Sequence, residues 1–418
     1  MIRVLIVDDS AYSRRTIKSM LETSKDIDVV GVAVDGDEAL RLVEHLQPDV
    51  ITLDLEMPRM DGFAFLRILT YRRPTPVIVV SSHAGREDVL RALDLGALDF
   101  VAKPSQKASK SLLKIRDELV TKVREAASAR MDLYLSDAQP DQVTGFHSIA
   151  GLPIVETDTH SIALPPLPKK EAQRATKPKQ IPQAEATRSS NLNKNTTQPV
   201  TSPRVPPQSV TPPRVPPQSV APQNREGVLL IGASTGGPRA LRKVLGSLLP
   251  DCPWPIVVIQ HMPPRFTTEF AARLSRKLQI RVIEAADGSP LNPGSALIAP
   301  GGFHMTIARS RGRPIVRLHM PEKSDRYIPS IDKLFLSAGS VFSSNIIGVI
   351  LTGMGDDGCL GARAVRDNGG KIIAEDRSTA VVYGMPRQAI QEGVVDTIAP
   401  LDGISSSIQW LMSSIKNN

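Results

Sequence analysis

Three polar side chains that together can carry out nucleophilic chemistry each follow an apolar run in the second half of the chain. Ser234 lies in the glycine-rich turn 232–236, and His261 and Asp357 come shortly after two later apolar runs. A serine hydroxyl becomes a nucleophile when an imidazole accepts its proton, and a carboxylate can orient that imidazole. The spacing therefore predicts a Ser–His–Asp hydrolytic site, provided that the apolar runs are neighbouring strands of one sheet.

Three choices at this site stay open on the spacing alone: the role of the turn, the identity of the base and the identity of the carboxylate. The turn 232–236 fits a nucleophile elbow, whose small residues permit a sharp strand-to-helix turn with backbone N–H groups available to an oxyanion. Glycines at a strand end also bind phosphates or dinucleotides, although this turn lacks a P-loop lysine and the three-glycine fingerprint. His304 also follows a strand and rivals His261 as the base, and Asp356 rivals its neighbour Asp357.

A second set of charged side chains follows apolar runs in the first part of the chain. Asp8, Asp9 and Asp54 stand directly after two of these runs, and Ser81 and Lys103 stand at two others. Carboxylates brought to one edge of a sheet repel one another and commonly recruit a hard cation such as Mg²⁺. With a lysine near a phosphoryl oxygen, the arrangement suits phosphoryl transfer onto a carboxylate. Taken singly, each residue is better explained as a solvated loop end, and it is their occurrence together that favours the phosphoryl-transfer site.

Both sets of residues need parallel sheets to bring them together. The sequence predicts strands at 4–7, 50–53, 77–80, 100–102, 228–231, 256–259, 296–299, 346–351 and 371–374. It predicts helices at 13–22, 36–45, 109–130 and 239–249. Continuous apolar strands separated by helices are typical of a parallel sheet that is covered on both faces. We therefore expect an α/β protein with two doubly wound parallel sheets, the second mainly parallel, and with sites beyond the carboxyl ends of the strands.

A proline-rich segment divides these two α/β regions. Sixteen of the 35 prolines fall in residues 139–225, where a heptapeptide (Arg-Val-Pro-Pro-Gln-Ser-Val) occurs at 204–210 and again at 214–220. Proline denies this segment helix and sheet hydrogen bonds, and its polar residues cannot form a core. We predict a disordered, partly extended linker; a docking motif for a proline-binding domain is the alternative. The predicted division is therefore 1–125, a helix end and linker at 126–225, and 226–418.

Composition and charge exclude several classes of protein. The net charge is +8, yet residues 1–104 carry 13 basic and 17 acidic side chains, and aromatic residues make up only 4%. No clustered basic face or aromatic platform for nucleic acid is evident. No apolar run reaches the ~18 residues that span a bilayer, and no signal peptide precedes the first strand. With only Cys252 and Cys359, neither a disulfide framework nor a zinc site is indicated, so we expect a cytoplasmic protein without membrane insertion.

Three motifs in residues 1 to about 125 occur together: they are Asp8-Asp9, Asp54-x-x-Met57-Pro58-x-Met60-Asp61-Gly62 and Lys103-Pro104. They resemble the receiver domain of two-component response regulators. The resemblance implies that Asp54 accepts phosphate from a histidine kinase. It implies Mg²⁺ coordination by Asp9, Asp54 and the backbone carbonyl of Glu56, with Asp8 acting through water. It also makes Ser81 and Phe100 the switch positions and Lys103 a contact to the phosphoryl group.

Five motifs in residues 226–415 also occur together: they are Gly232-Ala-Ser-Thr-Gly-Gly-Pro238, Gln260-His-Met-Pro263, Pro329-Ser-Ile-Asp332, Thr352-Gly-Met-Gly-x-Asp-Gly358 and Val382-Tyr-Gly-Met-Pro386. They resemble the catalytic domain of the chemotaxis protein-glutamate methylesterases. The resemblance implies a triad of Ser234, His261 and Asp357, with oxyanion support from Thr235, Met354 and Gly355, and no cofactor for the esterase. Arg265 departs from the pattern, which has a small residue there.

The two resemblances together imply a function and its control. The expected reaction is hydrolysis of glutamyl methyl esters on methyl-accepting chemoreceptors, with release of methanol, and deamidation of receptor glutamines by the same acyl chemistry. We expect the unphosphorylated receiver to cover the Ser234 edge and phosphorylation of Asp54 to weaken that contact. The rival hypotheses are a response regulator whose output domain only binds DNA or protein, and a hydrolase of some other ester.

Overall fold

The computed structural model describes residues 1–81, 86–103, 109–131, 226–250 and 252–417. Most of the predicted linker and both copies of its heptapeptide lie outside these residues, so the linker and the domain limits at 125 and 226 stay predictions. No helix in the described ranges is both long and apolar enough to cross a bilayer.

The N-terminal domain is a five-stranded sheet in which every pair of neighbouring strands is parallel. The strands are β1 (Ile2–Val7), β2 (Ile27–Ala33), β3 (Val50–Leu53), β4 (Val77–Ser81) and β5 (Asp99–Ala102). Their order in the sheet is β2-β1-β3-β4-β5. The helices are α1 (Ala11–Leu21), α2 (Gly36–Leu46), α3 (Gly62–Arg72), α4 (Arg86–Asp94) and α5 (Ser109–Ala127). The strand order reverses across β1 and β3, which places Asp8, Asp9 and Asp54 at the switch point where such sheets bind ligands.

The C-terminal domain is built on a seven-stranded sheet whose strands are also all parallel. The strands are β6 (Val228–Ala233), β7 (Ile256–Gln260), β8 (Arg281–Glu284), β9 (Ser295–Ile298), β12 (Ile346–Ile350), β13 (Lys371–Glu375) and β14 (Thr397–Ala399). The order is β14-β13-β12-β6-β7-β9-β8, and an antiparallel hairpin of β10 (His304–Ser310) and β11 (Arg313–His319) lies outside this sheet. The helices are α6 (Gly237–Gly246), α7 (Phe266–Lys277), α8 (Ile331–Phe342), α9 (Cys359–Asp367), α10 (Met385–Gln391) and α11 (Leu401–Asn417).

The predicted α/β class and parallel sheets are confirmed, and the strands that the prediction missed share one property. The central strands β6, β7 and β12 are buried along their whole length, so they stand out as continuous apolar runs. The missed strands β2, β8 and β14 lie at the edges of their sheets, and the missed strands β10 and β11 form a two-stranded hairpin in which each has one neighbour. All five are partly exposed. An edge strand contacts one neighbour only and tolerates polar residues, so its apolar signal is weak.

The aromatic ring of Phe335 locks α8 onto the sheet. Its side chain is fully buried, and it lies against Gly348 of β12 and Gly361 of α9, where a Cβ atom would lie 2.8 Å and 2.5 Å from Phe335. Gly348 therefore provides the space that the ring fills, and Gly361 lets α9 approach the Cβ atom of Phe335. Helix α8 in turn carries residues that reach the candidate site.

Replacing Phe335 by alanine should lower the free energy of unfolding by about 3–5 kcal/mol, because it removes buried apolar surface and leaves a cavity. Its neighbour Leu336 is 50% exposed, so Leu336→Ala should change stability by only about 0.5 kcal/mol. Urea unfolding of the whole chain, followed by the fluorescence of the buried Trp254, measures both. Equal destabilisation by the two variants would contradict this account of the core.

Candidate functional site

The backbone turn after β6 presents Ser234 at the carboxyl edge of the C-terminal sheet. Gly236 has a φ of 79° and ends the turn at the start of α6, in a conformation that favours glycine. The Ser234 amide donates to the Thr352 carbonyl at 3.0 Å, and the Gly237 amide donates back to the Ser234 carbonyl at 2.8 Å. The serine is thus fixed between β6 and the chain that follows β12, with the start of α6 behind it.

Strand register places His261 beside Ser234. Ala233 pairs with Gln260, so the serine and the histidine are the next residues on adjacent strands, and the His261 amide donates to the Ala233 carbonyl at 3.0 Å. The Gln260 side chain donates to the carbonyls of Ser234 (2.9 Å) and His261 (3.2 Å), which ties the two strand ends together. Sequence reasoning gave Gln260 no such role, although it stands in the same motif as His261.

The imidazole of His261 is paired with a buried carboxylate. Its Nε2 lies 2.9 Å from Oδ2 of Asp357, whose side chain is 1% exposed. Burial raises the pKa of Asp357, but the hydrogen bond from His261 and those from the backbone of Asp332 and Ile331 outweigh it and leave the pKa below its ordinary value. Because an ionised carboxylate can only accept, Nε2 is the donor and Nδ1 is left free to accept a proton.

Further residues hold Asp357 from the start of α8. The Ser330 hydroxyl and the Asp332 amide donate to Oδ1 at 2.9 and 3.0 Å, and the Ile331 amide donates to Oδ2 at 2.7 Å. The Asp332 carboxylate accepts from the amides of Gly358 and Gly361 at 2.9 and 2.8 Å, which fixes the turn after Asp357. Burial, together with the nearby charge of Asp357, raises the pKa of Asp332 to about 6. The Pro-Ser-Ile-Asp motif was the sequence signal for these residues, but not for their contacts.

The two rival residues make contacts of their own. His304 is buried and its Nε2 lies 2.8 Å from Asp325, while Asp356 is exposed and accepts hydrogen bonds from Arg326 and Tyr327. Within the described residues, no hydrogen bond joins the Ser234 hydroxyl to His261. Catalytic hydrogen bonds of this kind often form or shorten only when substrate binds, so the arrangement is consistent with a serine and a histidine that act together.

Of the residues expected to support an oxyanion, Thr235 follows the serine directly, and a Cβ atom on Gly353, the residue before Met354, would lie 2.6 Å from Ser234 Cβ. Gly353 follows Thr352, whose hydroxyl donates to the Thr235 carbonyl at 3.0 Å. The Met354 side chain is 40% exposed at this edge. The Thr352 amide donates to the buried Glu375 at 2.8 Å, and burial raises the pKa of that carboxyl to about 7. Glu375 is a further residue that the sequence did not indicate, since it resembles the end of an ordinary strand.

The acidic residues of the N-terminal domain also converge. Oxygens of Asp8, Asp9 and Asp54 lie within 4.8 Å of one another, and Lys103 Nζ lies 2.5 Å from Asp54 and 3.0 Å from Asp8. Burial raises the pKa of Asp54, against the opposing effect of the Lys103 ammonium. Three carboxylates at this spacing form an oxygen donor set that fits a hard divalent cation. Ser81 is buried at the end of β4 in the same sheet.

The N-terminal domain contacts the C-terminal domain right beside Ser234, and the two belong to one compact unit. The hydroxyl of Thr235, the residue after the serine, is hydrogen-bonded to Asp99 of β5 at 2.6 Å and to Glu125 of α5. The Phe100 ring packs on Phe266 of α7 with 4.4 Å between ring centroids. Phe100, one of the two predicted switch residues, and the acidic residues Asp99 and Glu125 thus lie over the sheet edge that carries Ser234.

A single carboxylate at the end of α4 joins the two domains electrostatically. Asp94 accepts from Arg273 Nε at 2.9 Å, from Lys277 at 2.6 Å and from Arg242 at 3.3 Å. Burial raises the pKa of Asp94, but the hydrogen bonds from Lys277 and Arg273 outweigh it and leave the pKa below its ordinary value. The carboxylate is therefore ionised, and three cations of α6 and α7 depend on it.

Comparison with known proteins finds similarity over the whole chain. Residues 4–116 match the family described as response regulator receiver domain, and residues 229–408 match CheB methylesterase. A protein-glutamate methylesterase/protein-glutamine glutaminase of Geobacter sulfurreducens is 42% identical over 407 residues, which cover 97% of this chain and 96% of that protein. One from Myxococcus xanthus is 38% identical, covering 98% and 97%. The crystal structure of the Thermotoga maritima CheB methylesterase catalytic domain is 42% identical, covers 44% of this chain and 97% of its own, and has a TM-score of 0.43.

Asp94→Asn should loosen the contact between the two domains, because it removes the charge that Arg273, Lys277 and Arg242 share. A charge-assisted hydrogen bond is worth about 1.5–3 kcal/mol, so amide hydrogen exchange in α7 should speed up on the order of tenfold. Glu87→Gln removes a charge from an exposed position of the same helix and should leave exchange in α7 unchanged. Hydrogen-exchange mass spectrometry of the whole chain compares the two, and equal protection in both variants would contradict the role given to Asp94.

Proposed function

Because this chain belongs to the CheB methylesterase family and carries a response regulator receiver domain, we propose that it hydrolyses glutamyl methyl esters on methyl-accepting chemoreceptors under the control of phosphorylation. It takes part in this way in chemotaxis adaptation. One observation carries the proposal most directly. The His261–Asp357 pair stands next to Ser234 in strand register, and residues of the receiver domain lie on Thr235.

The proposed reaction assigns a role to each member of the triad. The Ser234 hydroxyl attacks the ester carbonyl while Nδ1 of His261 takes the proton, and Asp357 holds the imidazole in the required tautomer. His261 then returns the proton to the departing methoxide oxygen, which leaves as methanol and leaves an acyl-enzyme behind. Water, activated by the same imidazole, attacks this intermediate and restores the glutamate and the free serine. Thr235, Met354 and Gly355 support the oxyanion, and no cofactor is needed for these steps.

The same acyl chemistry acts on glutamine side chains of the receptor. An amide carbonyl attacked by Ser234 gives the same acyl-enzyme, with ammonia in place of methanol as the leaving group. The relatives from Geobacter sulfurreducens and Myxococcus xanthus are named for both activities, which supports the proposal that this chain has both.

The receiver domain accepts the controlling phosphate. We assign Asp54 as the acceptor, with a chemotaxis histidine kinase as donor. The carboxylates of Asp8, Asp9 and Asp54 and the Glu56 carbonyl are the residues that would hold Mg²⁺, which offsets the charge of phosphate and acceptor when bound. The Lys103 ammonium forms ion pairs with Asp54 and Asp8, and this position lets it contact a phosphoryl oxygen on Asp54. Ser81 and Phe100 respond to the new phosphoryl group.

Inhibition in the unphosphorylated state follows from what the receiver covers. Asp99 and Glu125 are hydrogen-bonded to the hydroxyl of Thr235, the residue after the nucleophile. The ring of Phe100 packs on that of Phe266. The receiver would in this way keep a receptor side chain from reaching Ser234. Since Phe100 is itself a switch position, its movement on phosphorylation would separate the two rings and favour the open arrangement.

Ser234→Ala should lower the rate of methanol release from methylated receptor membranes by a factor on the order of 10⁶, as loss of a triad nucleophile does in other serine hydrolases. Asp54→Asn should keep the basal rate and lose the increase that acetyl phosphate with Mg²⁺ produces. Ser247→Ala, at an exposed serine after α6, is the matched control. A loss below tenfold in Ser234→Ala would remove this serine from the mechanism, and absence of release from the folded wild type would point to another ester.

Basal activity of the unphosphorylated chain should rise with pH through Glu125. The Thr235 hydroxyl has one proton, yet it contacts both Asp99 and Glu125, so one contact requires a protonated carboxyl. Lys122 donates to Asp99 at 2.6 Å, which favours an ionised Asp99. Burial raises the pKa of Glu125 above its ordinary 4.5, and the charge of Asp99 raises it further. The charges of Lys122 and His261 and the hydrogen bond from Thr235 lower this pKa but do not cancel the effect of burial. Glu118 is a further carboxyl of this cluster and is partly buried. The covered arrangement therefore favours protonated Glu125 and loses stability as pH rises through that raised pKa.

The matched variant is Glu125→Gln, which stays neutral at every pH. The quantity to compare is the rate of methanol release by the unphosphorylated chain divided by that of the phosphorylated chain. Titration of the catalytic groups affects both rates alike and so cancels in this ratio. This ratio should climb with pH in the wild type and stay flat in Glu125→Gln. The same slope in both proteins would show that Glu125 does not hold the proton.

A further inference from the structure

An aromatic ring lies flat on the imidazole of His261, and none of the triad roles accounts for it. The ring of Tyr327 is stacked on that of His261 with 5.2 Å between centroids and 9° between planes. Tyr327 belongs to the 320–330 segment, which leads from β11 to α8. The Asp357 bond holds the imidazole at one nitrogen only, so the stacked ring supplies the second restraint on its orientation.

The phenol of Tyr327 is itself held in place on three sides. Its hydroxyl donates to Asp356 at 3.0 Å, and burial, together with this bond, raises the pKa of the phenol to about 12, so it stays a donor. A Cβ atom on Gly355, whose φ is 100°, would lie 2.2 Å from the phenol oxygen. The Arg326 guanidinium lies 5.0 Å from the ring centroid and 3.2 Å from Asp356. The left-handed glycine thus provides the space in which the phenol lies.

The 320–330 segment is held by a cluster of charged and polar side chains around Asp325, of which His304 is buried. Asp325 accepts from Nε2 of the buried His304 at 2.8 Å, from Lys333 of α8 at 2.7 Å and from the Glu322 amide at 2.7 Å. These hydrogen bonds, the one from Lys333 above all, hold the pKa of Asp325 well below its usual range. The cluster fixes the segment on both sides, and Ser330 at its end holds Asp357. One segment therefore positions both the imidazole and its carboxylate.

We propose that Tyr327 is a positioning residue for the esterase reaction, whose ring face keeps the His261 imidazole in the plane that receives the Ser234 proton. The inference rests on the proposed function. A flat ring also favours the imidazolium that forms in the transition state, since the π-face attracts a cation. Its effect should therefore be greater on kcat than on KM, because the charge develops only as the serine attacks.

Two variants separate the ring from the hydroxyl. Tyr327→Phe keeps the stacked face and loses the bond to Asp356, whereas Tyr327→Leu loses the face. An aromatic pair contributes enough to change a rate by up to about tenfold. We expect Tyr327→Leu to lower kcat about tenfold with little change in KM, and Tyr327→Phe to stay within about threefold of wild type. Tyr71→Leu, at a tyrosine of α3 that is 90% exposed, is the control.

The assay uses the whole chain with acetyl phosphate and Mg²⁺, on methylated receptor membranes. Proton NMR of the His261 ring, assigned by its loss in His261→Gln, gives a readout that does not depend on activity. The stacked ring should shift these protons upfield in wild type and in Tyr327→Phe, and the shift should vanish in Tyr327→Leu. If Tyr327→Leu does not fold, Tyr327→Met removes the flat face while filling most of the volume, with the same expected result.

The outcomes keep the inference apart from the proposed function. Wild-type rates in Tyr327→Leu would overturn the inference, and equal losses in the leucine and phenylalanine variants would assign the effect to the hydroxyl and overturn it too. A wild type that releases no methanol, while the NMR shift is present and lost in Tyr327→Leu, would refute the esterase function and leave the stacking contact established.

Discussion

An ionised carboxylate buried at the edge of the C-terminal sheet is the constraint around which the site is arranged. Asp357 is 1% exposed in its side chain, and a buried charge is costly unless hydrogen bonds compensate for it. Here the compensation comes from His261, Ser330, Ile331 and Asp332. These donors come from β7 and from the start of α8, so satisfying one carboxylate brings two distant parts of the chain to the same place. The catalytic geometry is in this sense a consequence of satisfying that charge.

The contact between the two domains likewise depends on charged side chains that need a partner. Asp94 meets three cations from two helices, and Asp99 and Glu125 meet at one hydroxyl. Such contacts hold well only while the partners stay dry and correctly protonated, so they can be released by a modest change elsewhere in the receiver. A contact of this kind lies directly beside Ser234. A change in the receiver that breaks this contact would therefore also uncover the serine.

The arrangement also separates residues that keep the site rigid from those that react. The bonds of Gln260 tie together two strand ends, and the bond of Glu375 fixes the Thr352 backbone. None of these side chains needs to touch a substrate. Their contacts hold backbone atoms at the sheet edge, where a small displacement of the serine or the imidazole would separate them. Glu375 is itself buried, and this burial raises the pKa of its carboxyl to about 7.

The sequence by itself determined the α/β class, both parallel sheets and the strand ends at which Ser234, His261, Asp357 and the receiver acids stand. This was possible because buried central strands are continuous apolar runs and because parallel strands deliver their carboxyl ends to one edge. Spacing could not choose between Asp356 and Asp357, since neighbours in sequence can point to opposite sides. It could not choose between His261 and His304 either, since both follow a strand. The motif resemblance implied His261 and Asp357, and the tertiary structure brings these two side chains into contact. Only the tertiary structure decided that Tyr327 stacks on this imidazole and that Asp99 and Glu125 lie on Thr235. Those contacts join residues that are about 65 to 135 positions apart, and local patterns carry no information about such pairs because packing alone brings them together.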